Sequence, residues 1–319
     1  MAQILPVSAV VPTRDRSAAL QKALASLAQQ SAQPSDVIVI DASNNSTTKQ
    51  LCQSTIPGLQ SKIKWVAADV SGAAPQRNQG AALAAQPFIC FFDDDIVFEP
   101  DCIARLWKAI QSDGHLGGVN AMIVNQQHHQ PGLVSRTMFT LLNGQRKKTF
   151  AGRVIGPSIN LLPEDRHDLP EVVPVDWLNL GCTIYRREAL TDPPFRAQFV
   201  GYSLMEDLAL SLEVGKTWNL ANVRTARIVH KSQPADYKSD ECSRSCMELV
   251  NRHFIMTRIM GRDGFGDYLK LALWELFSIA SAGADHNRRK MLLYILRGKW
   301  DGLRRIVARD KGEAGSAKG

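Results

Sequence analysis

The chain has 319 residues, 45% hydrophobic and 22% charged, enough for one large domain and a smaller unit. No stretch approaches the ~18 uninterrupted apolar residues of a membrane span, and the N-terminus, MAQILPVSAVVPT, lacks the basic region of a signal peptide. The formal net charge of +7 sits in residues 286–319, where ten Lys or Arg face three Asp or Glu, so the body is neutral and no nucleic-acid partner is expected.

Six cysteines form no CxxC pair, and Cys242 and Cys246 have no second pair to complete a zinc site. They read as reduced thiols, which predicts a cytoplasmic protein. Val7 to Val11 is a predicted strand, followed by a loop in which Ser17 can cap a helix from Ala18 to Gln30 with Leu20, Leu24 and Leu27 on one stripe. Val37 to Ile40 is the next strand and ends in Asp41. This β-α-β unit predicts parallel strands, whose ligands bind at the carboxyl ends, where Thr13, Arg14 and Asp41 fall. Neither GxGxxG nor GxxxxGK[ST] is present, which argues against a dinucleotide site or a P-loop.

Lys64 to Ala67 makes a third strand, and Ser71 to Asn78 opens a helix reaching Ala85, with Arg77 near its start. Phe88-Ile89-Cys90-Phe91-Phe92 is a continuous apolar run suited to a strand buried on both faces, and it ends in Asp93-Asp94-Asp95. Three adjacent carboxylates at the mouth of a core strand repel one another, and a divalent cation offsets that repulsion. Asp93 and Asp95 point the same way in extended chain, which suits Mg2+ or Mn2+ carrying phosphate oxygens. The alternative is an acidic turn capping the helix predicted over Asp101 to Gln111. Arg77 can reach phosphates near the aspartates or pair with one of them.

Val119 to Val124 is a strand. Residues 125–175 show no clear period and read as a long connection that folds over substrate; His128-His129 reads as loop histidines. Val175 to Arg187 predicts two short strands around a tight glycine, with Trp177 as a sugar-stacking platform or a core residue. Gly201 to Leu212 enters a helix with Glu206 and Asp207 in its first turn, where the helix dipole favours negative charge. Trp218 to Leu220 and Thr225 to Val229 are two further predicted strands, the latter ending in His230.

Taken together, VSAVVPTRDR, VIVIDAS, SGAAPQRNQGAALA, FFDDDIVFEPDCI, VDWLNLGCTIYRREAL and YSLMEDLALSLEVGKTWNL, with His230 downstream, resemble an inverting glycosyltransferase of family 2 with the GT-A fold. The resemblance runs from about Val7 to His230. It implies an α/β, Rossmann-like mixed sheet flanked by helices, plus a C-terminal helical extension. It also implies a nucleotide-sugar donor and a glycan or lipid-linked acceptor. Asp93 and Asp95 would be the ends of a DxD motif holding Mg2+ or Mn2+, with His230 as a further ligand. Asp94, Thr13, Asp41, Arg14 and Arg77 would contact the donor, Trp177 and Glu206 the acceptor, and Asp207 would be the general base. Departures from the family pattern are Leu208 and Ala209 where many members carry another acid, and Pro194-Phe195-Arg196-Ala197 in place of Gly-Phe-Asp-Glu. The QxxRW motif of processive synthases is absent, so a single hexosyl or deoxyhexosyl transfer in cell-surface polysaccharide or lipid-linked glycan synthesis is expected. The alternatives are a catalytically silent sugar-nucleotide-binding or scaffold protein, and a nucleotidyltransferase, which the glycine-free Pro12 to Ser17 loop disfavours.

The expected organisation is a catalytic domain over 1–235, a helical extension over 236–310 and a disordered tail over 311–319. Residues 245–260 and 267–281 read as helices. From Asn287 to Arg309, helical spacing places Leu292, Leu296, Trp300, Leu303 and Val307 on one face and Lys290, Arg297, Arg304, Arg305 and Arg309 largely on the other. That pattern suits either the inner face of an anionic membrane, with the protein peripheral, or a helix packed on protein. Gly298 and Gly302 are expected to weaken it.

Overall fold

The computed structural model describes residues 2–126, 128–201, 203–231, 240–286 and 288–316, with side chains as far as 309. The chain forms two compact units. The first takes 1–129, 151–153 and 160–233, and the second takes 130–150, 154–159 and 234–319. The boundary expected at 235/236 lies outside the described residues, as do 317–319 of the expected tail.

The first unit contains β1 (Gln3–Thr13), α1 (Ser17–Ala28), β2 (Ala32–Asp41), α2 (Thr47–Gln53) and β3 (Lys62–Ala67). These are followed by α3 (Ala73–Leu83), β4 (Phe88–Phe92), β5 (Ile96–Phe98), α4 (Cys102–Ser112) and β6 (Leu116–Ile123). After the connection come β7 (Val172–Pro174), β8 (Cys182–Arg186), α5 (Glu206–Val214) and β9 (Asn219–His230). The nine strands make one sheet in the order β3-β2-β1-β4-β8-β6-β9-β5, with β7 also on β9. β1 pairs parallel to β2 and β4. β8 runs antiparallel between β4 and β6, and β9 is parallel to β6. Hence β1, β2, β4 and β9 all point their carboxyl ends to one edge of the sheet.

The apolar run of β4 is buried at every residue, as expected of a central strand covered on both faces. Its side chains alternate: Cys90 and Phe92 join the core with Leu20, Leu24 and Leu27 of α1, whereas Phe91 meets Tyr185 and Phe195 edge-on at 6.3 and 5.4 Å. α3 lies close on β1 and β2 because Gly80 has no side chain; a Cβ there would fall 2.3 Å from Val10 Cγ1. Burying these apolar faces drives the assembly, at roughly 25 cal/mol per Å2 removed from water.

Two sequence expectations are corrected here. Residues 175–187 do not form two strands; only Cys182–Arg186 does. The preceding backbone is tied to scattered partners instead, Val175 N to Leu220 O at 3.0 Å and Leu178 N to Ser211 Oγ at 2.9 Å. Trp218 to Val229 is not two strands but mainly one, β9, whose register on β6 shifts between Val223 and Arg227. Such a bulge breaks the alternation that a sequence pattern relies on.

The second unit contains helices Leu133–Asn143, Glu241–Phe254, Phe265–Ala284 and Leu292–Ser316. The second of these continues through a π-helical turn, Ile255–Ile259. Helical backbone runs through 311–316, where no order was expected, in keeping with good helix formers at Lys311, Glu313 and Ala314. Gly298 and Gly302 do not simply weaken the last helix. A Cβ at Gly298 would fall 2.2 Å from Cys242 O and one at Gly302 3.1 Å from Cys246 O, so these glycines form the seam against Glu241–Phe254. Beside the seam, Lys299 Nζ lies 3.1 Å from Glu248 Oε2 and 2.7 Å from Glu275 Oε2, and Arg252 pairs with the same two glutamates at 3.0 and 3.5 Å.

Candidate active site

β4 ends at Phe92 because the next three residues are acids that need polar partners, and the chain turns before β5 begins at Ile96. The turn sends Asp94 one way and Asp93 and Asp95 the other. Asp95 Oδ1 lies 2.9 Å from His230 Nε2, and Asp93 Oδ2 lies 3.9 Å from the same nitrogen. One ligand atom from each of Asp93, Asp95 and His230 can be chosen so that all lie within 4.8 Å of one another. Asp94 turns the other way, accepts from Thr13 Oγ1 at 2.7 Å, and has Arg16 Nη1 at 3.4 Å. Asp93 and Asp95 share a side as expected, but through a turn and not through extended chain, and Asp94 is a tie to the end of β1.

His230 is the last residue of β9 and is fixed from its backbone. Its N–H donates to Asn125 Oδ1 at 3.0 Å, and its carbonyl accepts from Asn125 Nδ2 at 2.8 Å. Two carboxylates and an imidazole on one side of a turn, pre-fixed by backbone bonds, form a donor set that fits a divalent cation with other positions open.

Arg77, the fifth residue of α3, is 4% exposed. Its Nη2 donates to Asp93 Oδ1 at 2.6 Å and its Nη1 to Glu206 Oε1 at 2.7 Å. The guanidinium therefore spans the aspartate turn and the start of α5. α5 opens on unusual backbone: Ser203 and Met205 have φ of 55° and 71°, a left-handed conformation that a non-glycine residue adopts only under tertiary constraint. Part of that constraint is Ser203 Oγ, which accepts from Ala74 N at 3.2 Å and so ties the loop to the start of α3. Asp207 follows Glu206 on the first turn of α5, with its Oδ1 accepting from Leu208 N at 2.7 Å.

Excess negative charge marks this site. Burial pushes the Asp94 carboxyl up to about 6, against the opposing pull of Thr13 and Arg16. Burial also raises Asp207 to about 6, with Leu208 N–H and Arg77 opposing. Glu206 is raised as well, by burial first, while the guanidinium of Arg77 opposes the rise.

The remaining predicted residues are placed as follows. Asp41, buried at the end of β2, accepts from Trp65 Nε1 at 2.9 Å and Ser43 N at 2.9 Å, so it shapes the wall beside β1. Arg14 is not drawn to the aspartates. It is exposed, 3.7 Å from Asp15 and 3.3 Å from Ser71 Oγ. Arg16 reaches them instead, lying 3.5 Å from Asp95 as well as beside Asp94. Trp177 is buried, and its Nε1 donates to Leu161 O at 2.9 Å; this is a packed position and not an open platform. Sequence reasoning missed Arg16, Asn125 and Gln76. Gln76 Nε2 donates to Thr13 O at 3.0 Å and Ile40 O at 2.7 Å, pinning the ends of β1 and β2 together.

Residues 8–160 match the description Glycosyl transferase family 2. Over this stretch, just under half of the chain, it is similar to family 2 glycosyltransferases. Over 122 residues it is 33% identical to validoxylamine A glucosyltransferase of Streptomyces hygroscopicus subsp. limoneus, covering 37% of this chain and 25% of that protein. The match thus spans about a quarter of that relative's length. In fold, the chain is similar to a mannosyltransferase from Pyrobaculum calidifontis in complex with GDP-Man and Mn2+. The TM-score is 0.55 at 14% identity, covering 93% of this chain and 87% of that one. It is also similar to GalNAc-T7 with UDP, GalNAc and Mn2+, with TM-score 0.52 at 16% identity over 76% of this chain and 51% of that one. The fold is thus the GT-A arrangement that the motifs implied, a mixed sheet flanked by helices.

Proposed function

We propose that this chain is an inverting, non-processive glycosyltransferase. It would move one sugar from a nucleotide-sugar donor to a hydroxyl of a glycan or lipid-linked acceptor, at the cytoplasmic side of a membrane. The observation that carries this reading is the convergence of Asp93, Asp95 and His230 beside an arginine that also holds Glu206, next to Asp207. That the fold neighbours were seen with Mn2+ and a nucleotide or nucleotide sugar supports it.

In this reading Asp93, Asp95 and His230 hold Mg2+ or Mn2+. When bound, the cation neutralises charge gathering on the departing nucleoside diphosphate. Thr13, Asp41 and Arg16 line the strand ends where the nucleoside lies, and Arg16 takes over the donor contact expected of Arg14. Asp207 accepts the proton of the acceptor hydroxyl as its oxygen attacks the anomeric carbon, which breaks the bond to the diphosphate in line and inverts the centre. Burial raises the Asp207 carboxyl above the ordinary carboxylate range, which makes it a stronger base toward that proton. Arg77 holds Glu206 and Asp93 at a fixed separation, so donor side and acceptor side keep their spacing. The acids required are one base and one cation cradle, not the carboxylate pair of a glycosidase.

The test is a panel of nucleotide sugars with Mn2+ or Mg2+, scored by thermal shift and by release of nucleoside diphosphate. The proposal expects one donor to stabilise the protein and to be consumed slowly only with metal. Release of pyrophosphate would sink transfer in favour of nucleotidyl chemistry. Binding without any release under acceptor screening would leave the silent sugar-nucleotide-binding reading standing.

A further inference from the structure

The last helix exposes an apolar stripe that its own packing does not use. Its buried side is the glycine seam: Ile295, Gly298, Lys299, Gly302 and Ile306 all face inward. About a third of a turn away, Leu293, Leu296, Trp300, Leu303 and Val307 follow one another at steps of three and four residues, the spacing of one helix face. All five are exposed, Leu293 at 80% and Trp300 at 61%. Fifteen residues of stripe measure about 20 Å along the axis. The stripe is bordered on its far side by Arg297, four residues after Leu293, and Arg304, four after Trp300; both are exposed. A second apolar face in the same unit, on Phe265–Ala284, exposes Phe265, Leu269 and Leu276.

We infer that the Leu293–Val307 face of the second unit docks on an anionic lipid bilayer, with Trp300 and Leu303 entering the acyl boundary and Arg297 and Arg304 meeting the headgroups. Charge selects this occupant. A second copy laid face to face on the stripe would bring Arg297 and Arg304 of each copy against one another. An anionic surface turns that repulsion into attraction. None of the described helices is long and apolar enough to cross a membrane, so the contact lies in the interface plane. The seam makes the geometry firm. Because Gly298 and Gly302 commit the seam side to protein, the apolar stripe keeps a fixed outward direction. The inference does not depend on the glycosyl-transfer reading and is tested without nucleotide.

The experiment is co-sedimentation of the full chain with vesicles of phosphatidylcholine alone or mixed with phosphatidylglycerol, at low and high salt. Binding should be at least about tenfold stronger on the anionic vesicles at low salt, since each basic residue near the surface contributes about fivefold. Trp300→Ser with Leu303→Ser should weaken that binding about tenfold by removing apolar insertion. Arg297→Gln with Arg304→Gln should weaken it by a similar factor on anionic vesicles and leave neutral ones unaffected. Acyl-brominated lipids should quench the tryptophan fluorescence of the wild-type chain, and Trp300→Phe should keep binding but lose most of the quenching. Equal affinity for both vesicle types, no binding at low salt, or quenching unchanged in Trp300→Phe would overturn the inference. So would a dimer in sedimentation velocity that Trp300→Ser with Leu303→Ser dissolves, because that outcome assigns the stripe to a second copy.

Discussion

The strand-end site and the helical unit both take ionised side chains out of water, with different balances. At the strand ends, Asp93, Asp94, Asp95, Glu206 and Asp207 face Arg16 and Arg77, so acid exceeds base, and burial raises Asp94 and Asp207 to about 6. In the helical unit two glutamates, Glu248 and Glu275, face two cations, Arg252 and Lys299. There Arg252 and Lys299 outweigh burial and hold the Glu248 carboxyl down at about 2. A balanced buried network is a structural solution, in which each charge answers another. An unbalanced one is unstable by itself and is poised to accept a cation or a proton, which is what a metal-assisted transfer needs.

The sharpest break in the comparison is to neutralise one charged side chain on each side. Asp207→Asn should lower turnover with the best donor about a thousandfold, roughly 4 kcal/mol of transition-state stabilisation, while thermal stability holds or rises. Unchanged turnover would remove Asp207 as the base. In the helical unit the same kind of edit should act on stability. Lys299→Met leaves Glu248 and Glu275 sharing Arg252 and should cost about 3 kcal/mol in urea unfolding, partly recovered by adding Glu275→Gln. Loss of activity without loss of stability on one side, and the reverse on the other, is the expected pattern.

Cation addition should separate the two regions next. Mn2+ at about a hundred times its dissociation constant should stabilise the wild-type chain by about 2.7 kcal/mol. Asp95→Asn and His230→Ala should each abolish most of that gain, whereas Glu275→Gln should leave it intact. A Mn2+ response that survives Asp95→Asn would move the cation elsewhere.

The sequence carried the acid side of this contrast plainly and the rest unevenly. Phe88 to Asp95 was readable because a continuous apolar run that stops on carboxylates has few physical solutions. Arg77 was expected to have two partners, phosphate or aspartate, and the fold chose Asp93 and Glu206, which lie far apart in sequence. Arg14 and Arg16 could not be told apart, since which one turns inward depends on α1 starting at Ser17, with Arg16 as the residue just before it. Asn125 and Gln76 act through backbone carbonyls and amides, which leave no motif. The positive φ of Ser203 and Met205 is imposed by packing and has no signature in these residue types. In the long connection, Leu133–Asn143 went unseen because Leu133, Val134 and Leu141 point outward, so its apolar residues do not mark a core face. Trp177 illustrates the converse, since a tryptophan fits a platform and a core equally well until its surroundings are known.

The smallest effect is also the one that tests the balance argument most directly, because the two regions should respond to acid with opposite signs. Asp94 holds its proton more tightly folded than unfolded, about 6 against an ordinary 3.8, so the native state binds more protons between those values. Stability in the presence of a chelator should therefore rise as pH falls from about 6 to about 4. Asp94→Asn should lessen that slope, the rest of which Asp207 carries, and gain on the order of 1–2 kcal/mol at neutral pH. Glu248 is depressed from 4.5 to about 2, so its contribution is fully present above 4.5 and is lost as pH falls toward 2. Glu248→Gln should flatten that lower limb and leave the upper one alone. Two limbs of opposite slope, each weakened by its own substitution, would mean that the strand ends store unbalanced charge and the helices do not. A single monotonic acid limb, unchanged by Asp94→Asn, would mean that Arg16 and Thr13 already balance the triplet and that no cation is needed to stabilise it.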